Sequence, residues 1–229
     1  MRTGSITQIS GILFWTKKSL TEYIRAIVGK YKDEQTLDKW DTAFVLELIH
    51  NHPQAATKLG VGIKSIIVRR NPVYTQTRGF YLNRIDGTGT DVSWTECLTP
   101  TPHHKKVIRA MRYLIEEQTF LFKQKYFDDT QSPICELTGE SMTFLDAHVD
   151  HKSPLTFDKL VEDFCKEYGI DLNTVPLRDD LADNKYMDLL DDDLLALRWQ
   201  EYHRQRAVLR VVSRFGNLSI AKIGNGHDR

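Results

Sequence analysis

Cysteine is scarce in this chain: Cys97, Cys135 and Cys165 are the only three among 229 residues, and no two stand at C-x-x-C spacing. An odd number without paired spacing excludes a disulfide framework and a four-cysteine zinc site, and it fits a reducing, cytoplasmic setting. Long apolar runs are missing too. Nothing approaches the ~18 apolar residues of a membrane span, and Met1-Arg-Thr-Gly-Ser5 leads into no apolar h-region, so neither a signal peptide nor a span is expected. Net charge is absent, with 31 basic and 31 acidic residues. Global charge therefore gives no argument for nucleic acid, and any such argument must come from local asymmetry. Low-complexity segments and internal repeats are lacking as well.

What is present is ordinary in bulk and uneven in detail. Hydrophobic residues make up 41% and charged residues 27%, the composition of a globular protein of one large or two small domains. Charge is segregated along the chain. Residues 179–193 carry seven aspartates, whereas 198–214 carry five arginines and no lysine.

Residues 9–15 predict a short strand, and Ser19 with Glu22 has capping-box spacing ahead of an apolar helical pattern through Tyr31. A second helix is expected over 37–51, ending before Pro53. Strands then follow at 63–70, 79–84 and 91–98, with an Asp86-Gly87 turn between the last two. Arg69, Arg70, Arg78 and Arg84 stud this sheet among Tyr74, Tyr81 and Trp94. Such a surface is either a solvated sheet face or a phosphate-contacting one with stacking aromatics.

His52-Pro53, Lys58-Leu-Gly-Val-Gly-Ile63, Arg78-Gly-Phe-Tyr-Leu-Asn-Arg84, Asp86-Gly-Thr88 and Asp91-Val-Ser-Trp-Thr-Glu-Cys97 together resemble the DCL ("defective chloroplasts and leaves") family. The resemblance spans about residues 12–98, and Gly79-Phe80 stands where a Cys-Phe pair is more usual. It implies a small α/β module associated with ribosomal-RNA maturation in plastids, and it does not imply catalysis.

Thr99-Pro-Thr-Pro102 is the linker candidate. A helix is expected from 103 to 125, with Val107, Ala110, Met111, Leu114, Ile115, Gln118, Leu121 and Phe122 as its stripe. Thr156 predicts an N-cap, with Phe157, Leu160, Val161, Phe164 and Tyr168 on one helical face and Gly169 as the stop. An irregular acidic stretch follows, and then a helix over 192–213. On that helix His203, Arg206, Arg210 and Arg214 would share one stripe, a ligand followed by a phosphate track.

The densest chemistry lies in the 21 residues from Ile134 to Pro154, which hold Asp146, His148, Asp150 and His151. On a strand, Asp146, His148 and Asp150 would share a face and His151 would point across it. Asp suits hard cations, and neutral His is the usual base near neutral pH. With Pro154, His203 and Asn217, this pattern resembles the HNH, or ββα-metal, nucleases over residues 131–229.

The resemblance implies catalytic His151, Asp150 and His203. It implies Asp150, His203 and Asn217 around one Mg²⁺ or Mn²⁺, with no structural zinc because Cys135-Glu-Leu-Thr-Gly139 lacks the second cysteine. His148, Lys152, Arg206, Arg210 and Arg214 would contact nucleic acid, as would Arg69 and Arg70 in the N-terminal half. Departures exist: His151 and His203 stand 52 residues apart, and the motif's asparagine is Asn173, Asn184 or Asn217. A straight helix rises ~1.5 Å per residue, so His203 and Asn217 cannot share one ion unless the helix ends between them. His227 is a further alternative for the final ligand.

The expectation is therefore an α+β protein. Residues 1–100 form a DCL-like nucleic-acid-binding or targeting module, 101–130 a connecting helix, and 131–229 an HNH-like domain with a helical insertion. The expected activity is hydrolysis of DNA phosphodiesters, of restriction, homing or phage type, on double-stranded DNA, with a homodimer as an option for palindromic cutting. The alternative is a non-catalytic RNA-binding or rRNA-processing factor.

Overall fold

The computed structural model describes residues 7–71, 75–178 and 188–219. Its helices and small antiparallel sheets occupy separate stretches, which is the α+β class. The chain divides into two compact units after Pro102.

The N-terminal unit starts with a hairpin of β1 (Thr7–Ile9) and β2 (Ile12–Phe14). One strand was expected over this region, but Ser10 and Gly11 take positive φ of 49° and 79° and turn the chain back on itself. Helix α1 (Lys17–Lys30) is capped by Thr16, whose hydroxyl accepts the Ser19 N–H at 3.0 Å. The capping box is thus Thr16–Ser19, one turn earlier than the Ser19–Glu22 pair expected from spacing, because Ser19 is already inside the helix. Helix α2 (Lys39–Ile49) starts on Asp38, which accepts the N–H groups of Trp40 and Asp41.

After the short α3 (Ala55–Leu59) come β3 (Ile63–Arg70), β4 (Arg78–Arg84) and β5 (Gly89–Val92), an antiparallel meander in the order β3-β4-β5. The third strand expected over 91–98 stops at Val92, and Trp94–Leu98 wind into α4. Ile66, Val68, Phe80, Leu82 and Val92 pack with Ile24, Ile27, Phe44 and Leu48 to form the core of this unit.

The C-terminal unit holds residues 103–178 and 188–219 of those described. Where one helix was expected over 103–125, two occur: α5 (His103–Leu114) and α6 (Glu116–Asp129). They are divided at Ile115, which leaves helical geometry (φ −104°, ψ 5°) to bury its side chain. Strand β6 (Ala147–His151) is followed by a cis Ser153–Pro154 bond and by α7 (Phe157–Tyr168), capped by Thr156 and stopped by left-handed Gly169.

The expected helix over 192–213 is corrected most. Helix α8 (Asp193–Arg206) ends early, residues 209–213 form β7 (Leu209–Ser213), and α9 (Arg214–Ser219) follows at once. Val208, Val211 and Val212 are β-branched and favour extended backbone, and a partner strand is available in β6. The stripe of His203, Arg206, Arg210 and Arg214 therefore does not form: it is split among α8, β7 and α9. Trp199 anchors this unit, fully buried, with its indole N–H donating to the Met111 carbonyl at 2.7 Å and Phe157, Phe164 and Tyr202 around it. That packing sets α8 beside α5 and α7 and brings His203 to β6. Among the described residues no helix is long and apolar enough to cross a membrane.

Candidate functional site

Strand β6 sorts its side chains by parity: Ala147, Val149 and His151 on one face, His148 and Asp150 on the other. Antiparallel pairing sets Asp150 opposite Arg210 and His148 opposite Val212. Arg210 accordingly donates from Nε and Nη2 to Asp150 Oδ2, at 2.9 and 2.6 Å. Asp150 Oδ1 has no hydrogen bond among the described residues. Helix α9 returns over β6, and Asn217 Nδ2 donates to His148 Nδ1 at 3.3 Å.

The turn before α9 is tight against the segment that precedes β6. Ser213 N–H donates to the Cys135 sulfur at 3.1 Å, and a Cβ at position 216 would sit 3.1 Å from that sulfur. Only glycine fits there without a shift. Burial raises the Cys135 thiol, but hydrogen bonds from Ser213, Thr138 and the Leu137 backbone outweigh it and bring the thiol down to about 6.

On the other face of β6, His151 meets His203 ring to ring, Nε2 to Nε2 at 2.8 Å. His203 is 1% exposed, and its Nδ1 bonds Gln118 Oε1 at 2.8 Å. Burial lowers the His151 pKa, helped by the Arg112 cation and opposed by Asp150. Burial and the neighbouring His151 push His203 down to about 4. Both rings are neutral at pH 7.

These elements open onto a cleft of about 530 Å³. Asp150, His151, Asn217, Arg112 and Arg210 line it, with Glu116 and Asp158. Arg112 lies 3.7 Å over the Phe157 ring and only loosely against Asp158, at 3.7 Å. His203 is behind His151 rather than in the cleft, and both its ring nitrogens are engaged. Its expected place as metal ligand is therefore corrected: it offers no lone pair to the cleft.

Among the described residues no group of three or more His, Cys, Asp and Glu side chains converges on one point. Of the oxygens that Asp150, Glu116, Asp158 and Asn217 bring to the cleft, Asp150 Oδ1 and the Asn217 amide oxygen are the two carried by β6 and α9. A set of one carboxylate and one amide fits Mg²⁺ or Mn²⁺, which keep most of their waters and take further oxygens from a phosphate. It does not suit a metal that seeks nitrogen or sulfur.

The remaining expected contacts are scattered or occupied. Lys152 pairs with Glu136 at 2.9 Å. Arg206 pairs with Glu167 at 2.7 Å and lies over Tyr202. Arg214 is exposed at the start of α9. Asn173 sits in a turn, bonded to Asp171. In the N-terminal unit Arg69 is clamped by Glu34 and Arg70 by Asp33, both at 2.7 Å. Tyr74, Asn184 and His227 lie outside the described residues. Gln118 stands in the sequence only as part of a helix stripe. The signal that could have singled out Gln118 is a polar side chain on an otherwise apolar helical face.

The N-terminal unit, with its three-strand meander and covering helices, holds the family match. Residues 25–98 match the family described as "Protein of unknown function (DUF3223)". DNA-directed RNA polymerase V subunit 1 of Arabidopsis thaliana is 38% identical over 85 residues, covering 37% of this chain and 4% of that protein. Protein DCL homolog, chloroplastic, of the same plant is 30% identical over 82 residues, 34% of this chain and 37% of that one. A solution NMR structure of an uncharacterized Rhodospirillum rubrum protein is 26% identical, covering 42% of this chain and 91% of that one, at a TM-score of 0.39. This chain spans well under half the length of the two curated plant relatives. The N-terminal unit thus contains a DCL-like domain. The family match ends at residue 98, so the cleft lies outside it.

Proposed function

We propose that the C-terminal unit is a metal-dependent endonuclease of the HNH, or ββα-metal, kind that hydrolyses phosphodiester bonds of double-stranded DNA. One observation carries this reading: Asp150 and His151 on a strand and Asn217 on the helix that follows its antiparallel neighbour line a single cleft. The sequence pattern implied an acid–imidazole pair followed by a helix bearing His203; in the fold the helix that follows the β6–β7 pair is α9, and it carries Asn217. The N-terminal relative named as a DNA-directed RNA polymerase subunit supports a nucleic-acid substrate.

In this reading His151, neutral at pH 7, takes a proton from the attacking water. The water oxygen bonds to phosphorus, the bond from phosphorus to the 3′ oxygen breaks, and solvent protonates that oxygen. Arg112, stacked on Phe157 and only loosely paired with the exposed Asp158, offsets charge growing on the phosphate. Asp150 and Asn217 would hold a divalent cation, which when bound supplies Lewis-acid charge at the phosphate. Arg210 holds Asp150 in orientation through one oxygen and leaves the other open.

The Asp150–Arg210 pair also favours a second reading, a nucleic-acid-binding protein without catalysis, because a guanidinium there neutralises the carboxylate. Plasmid and RNA incubated with Mg²⁺, Mn²⁺ or EDTA separate the two. Nicking or linearisation that needs the metal and vanishes in His151→Ala supports the nuclease. Binding without cutting under every metal overturns it.

A further inference from the structure

The cleft base is held by a chain of polar groups in which every hydrogen can be placed. It starts on α8, where the backbone carbonyl of Gln200 can only accept. Gln118 Nε2 donates to it at 2.9 Å, which fixes the amide so that Oε1 is the atom facing His203. Oε1 can only accept, so at 2.8 Å His203 Nδ1 must carry its hydrogen. His203 is 1% exposed among Trp199, Tyr202 and His151, where burial favours the neutral ring. A neutral ring with hydrogen on Nδ1 has a bare Nε2. That Nε2 faces His151 Nε2 at 2.8 Å, a gap that holds one hydrogen, so His151 must donate. The only atom of His151 left as a lone pair is then Nδ1. Among the described residues nothing bonds to it, and His151 lines the cleft.

We infer that Gln118, acting through His203, locks His151 in the tautomer protonated on Nε2, so that Nδ1 is the basic atom presented to the cleft. Gln118 is a positioning residue: it touches neither substrate nor cleft and acts by dictating which nitrogen of His151 is free. The lock itself is independent of any activity. Only its use, as the acceptor of the water proton, rests on the nuclease reading. When Nδ1 takes that proton, the Nε2–H bond to His203 persists, so the imidazolium forms without a change of partner.

Gln118→Leu removes the acceptor while keeping the volume. His203 Nδ1–H would then be a buried donor without a partner, which is costly. His203 escapes by moving its hydrogen to Nε2, and His151 must answer by accepting at Nε2 and carrying its own hydrogen on Nδ1. The lone pair leaves the cleft.

The test is ¹⁵N NMR of the histidine rings at pH 8 in the full chain without metal or DNA, with His151→Ala used to assign the His151 signals. The expected wild-type signature is a protonated Nε2 and a bare Nδ1 on His151, reversed or mixed in Gln118→Leu. Cleavage by Gln118→Leu is expected to fall by about 10–100-fold, the usual effect of losing an outer partner. A wild-type His151 protonated mainly on Nδ1 overturns the lock, and this holds even if Gln118→Leu fails to fold. An unchanged tautomer in folded Gln118→Leu overturns it as well. The expected signature in a protein that never cuts overturns the nuclease reading and leaves the lock standing. A cutting protein with the opposite tautomer does the reverse.

Discussion

The two units each open a cleft of similar size and equip it differently. The N-terminal one, about 480 Å³, is lined by Arg25, Arg69, Arg70, Arg78, Tyr81 and Trp94. Three of its arginines are engaged by two carboxylates, Arg69 by Glu34 and both Arg70 and Arg78 by Asp33, which leaves one positive charge in excess. The C-terminal one, about 530 Å³, has fewer cations but contains a half-desolvated imidazole with an open lone pair. Counting arginines would rank the first cleft as the phosphate site. Counting unsatisfied capacity ranks the second, because a guanidinium already held by a carboxylate must give up that pair before it can hold a phosphate.

The comparison breaks most decisively at His151. His151→Ala is expected to lower plasmid cleavage by about 10²–10⁴-fold, the share of a general base, with DNA retention on a gel preserved and the unfolding midpoint lowered, because the buried ring also bonds His203. Equal loss from Arg69→Ala would show that cleavage depends as much on the N-terminal arginines as on the imidazole.

Next in size is the response to acid. Folded His203 binds its proton only near 4, whereas the ordinary value is 6.5, so between those values the unfolded chain holds more protons. The stability due to the neutral His151–His203 pair is therefore full above about 6.5 and is lost as pH falls toward 4. Urea unfolding at pH 7 and pH 5 should differ by on the order of 1–2 kcal/mol, and His203→Gln should flatten the slope. A stability that does not fall in acid would show the pair to be charged or exposed.

A smaller effect is expected at Arg210. Arg210→Gln frees Asp150 Oδ2 of a competing cation, so Mn²⁺ measured by calorimetry should bind several-fold more tightly, about 1 kcal/mol for a largely buried pair in an effective dielectric between water and protein. Weaker binding would mean that Arg210 orients the carboxylate more than it competes for it.

Smallest is Arg69→Ala. The Arg69–Glu34 pair is partly exposed, and such pairs contribute ~0.2–1 kcal/mol. The expected result is a slight loss of stability with less than about twofold change in DNA affinity, since a cation already paired gives few phosphate contacts. A steep fall in affinity, with a shallower salt dependence, would move the nucleic-acid surface to the N-terminal unit.

Local patterns made much of the fold legible. The helix starting after Thr156 and stopping at Gly169, the Asp86-Gly87 turn and the strand over 63–70 all follow from capping, left-handed geometry and β-branched content within a few residues. So did the separate DCL-like stretch. Errors fell where a distant partner decides. Residues 208–213 read as helix because their apolar residues recur at spacings a helix would tolerate. They became a strand because β6, about 60 residues away in sequence, offers a ladder of backbone hydrogen bonds.

That one change redistributed the candidate site. It set Arg210 against Asp150 and brought Asn217 over β6. The sequence by itself determined which residues are chemically capable: an aspartate beside a histidine, an asparagine on a helix after the arginine-rich stretch, and a neutral glutamine on an apolar face. Only the tertiary structure decided which nitrogen of His151 is free. A tautomer depends on what lies within 3 Å of each ring atom, and here those neighbours come from α6 and α8, brought together by the packing around Trp199.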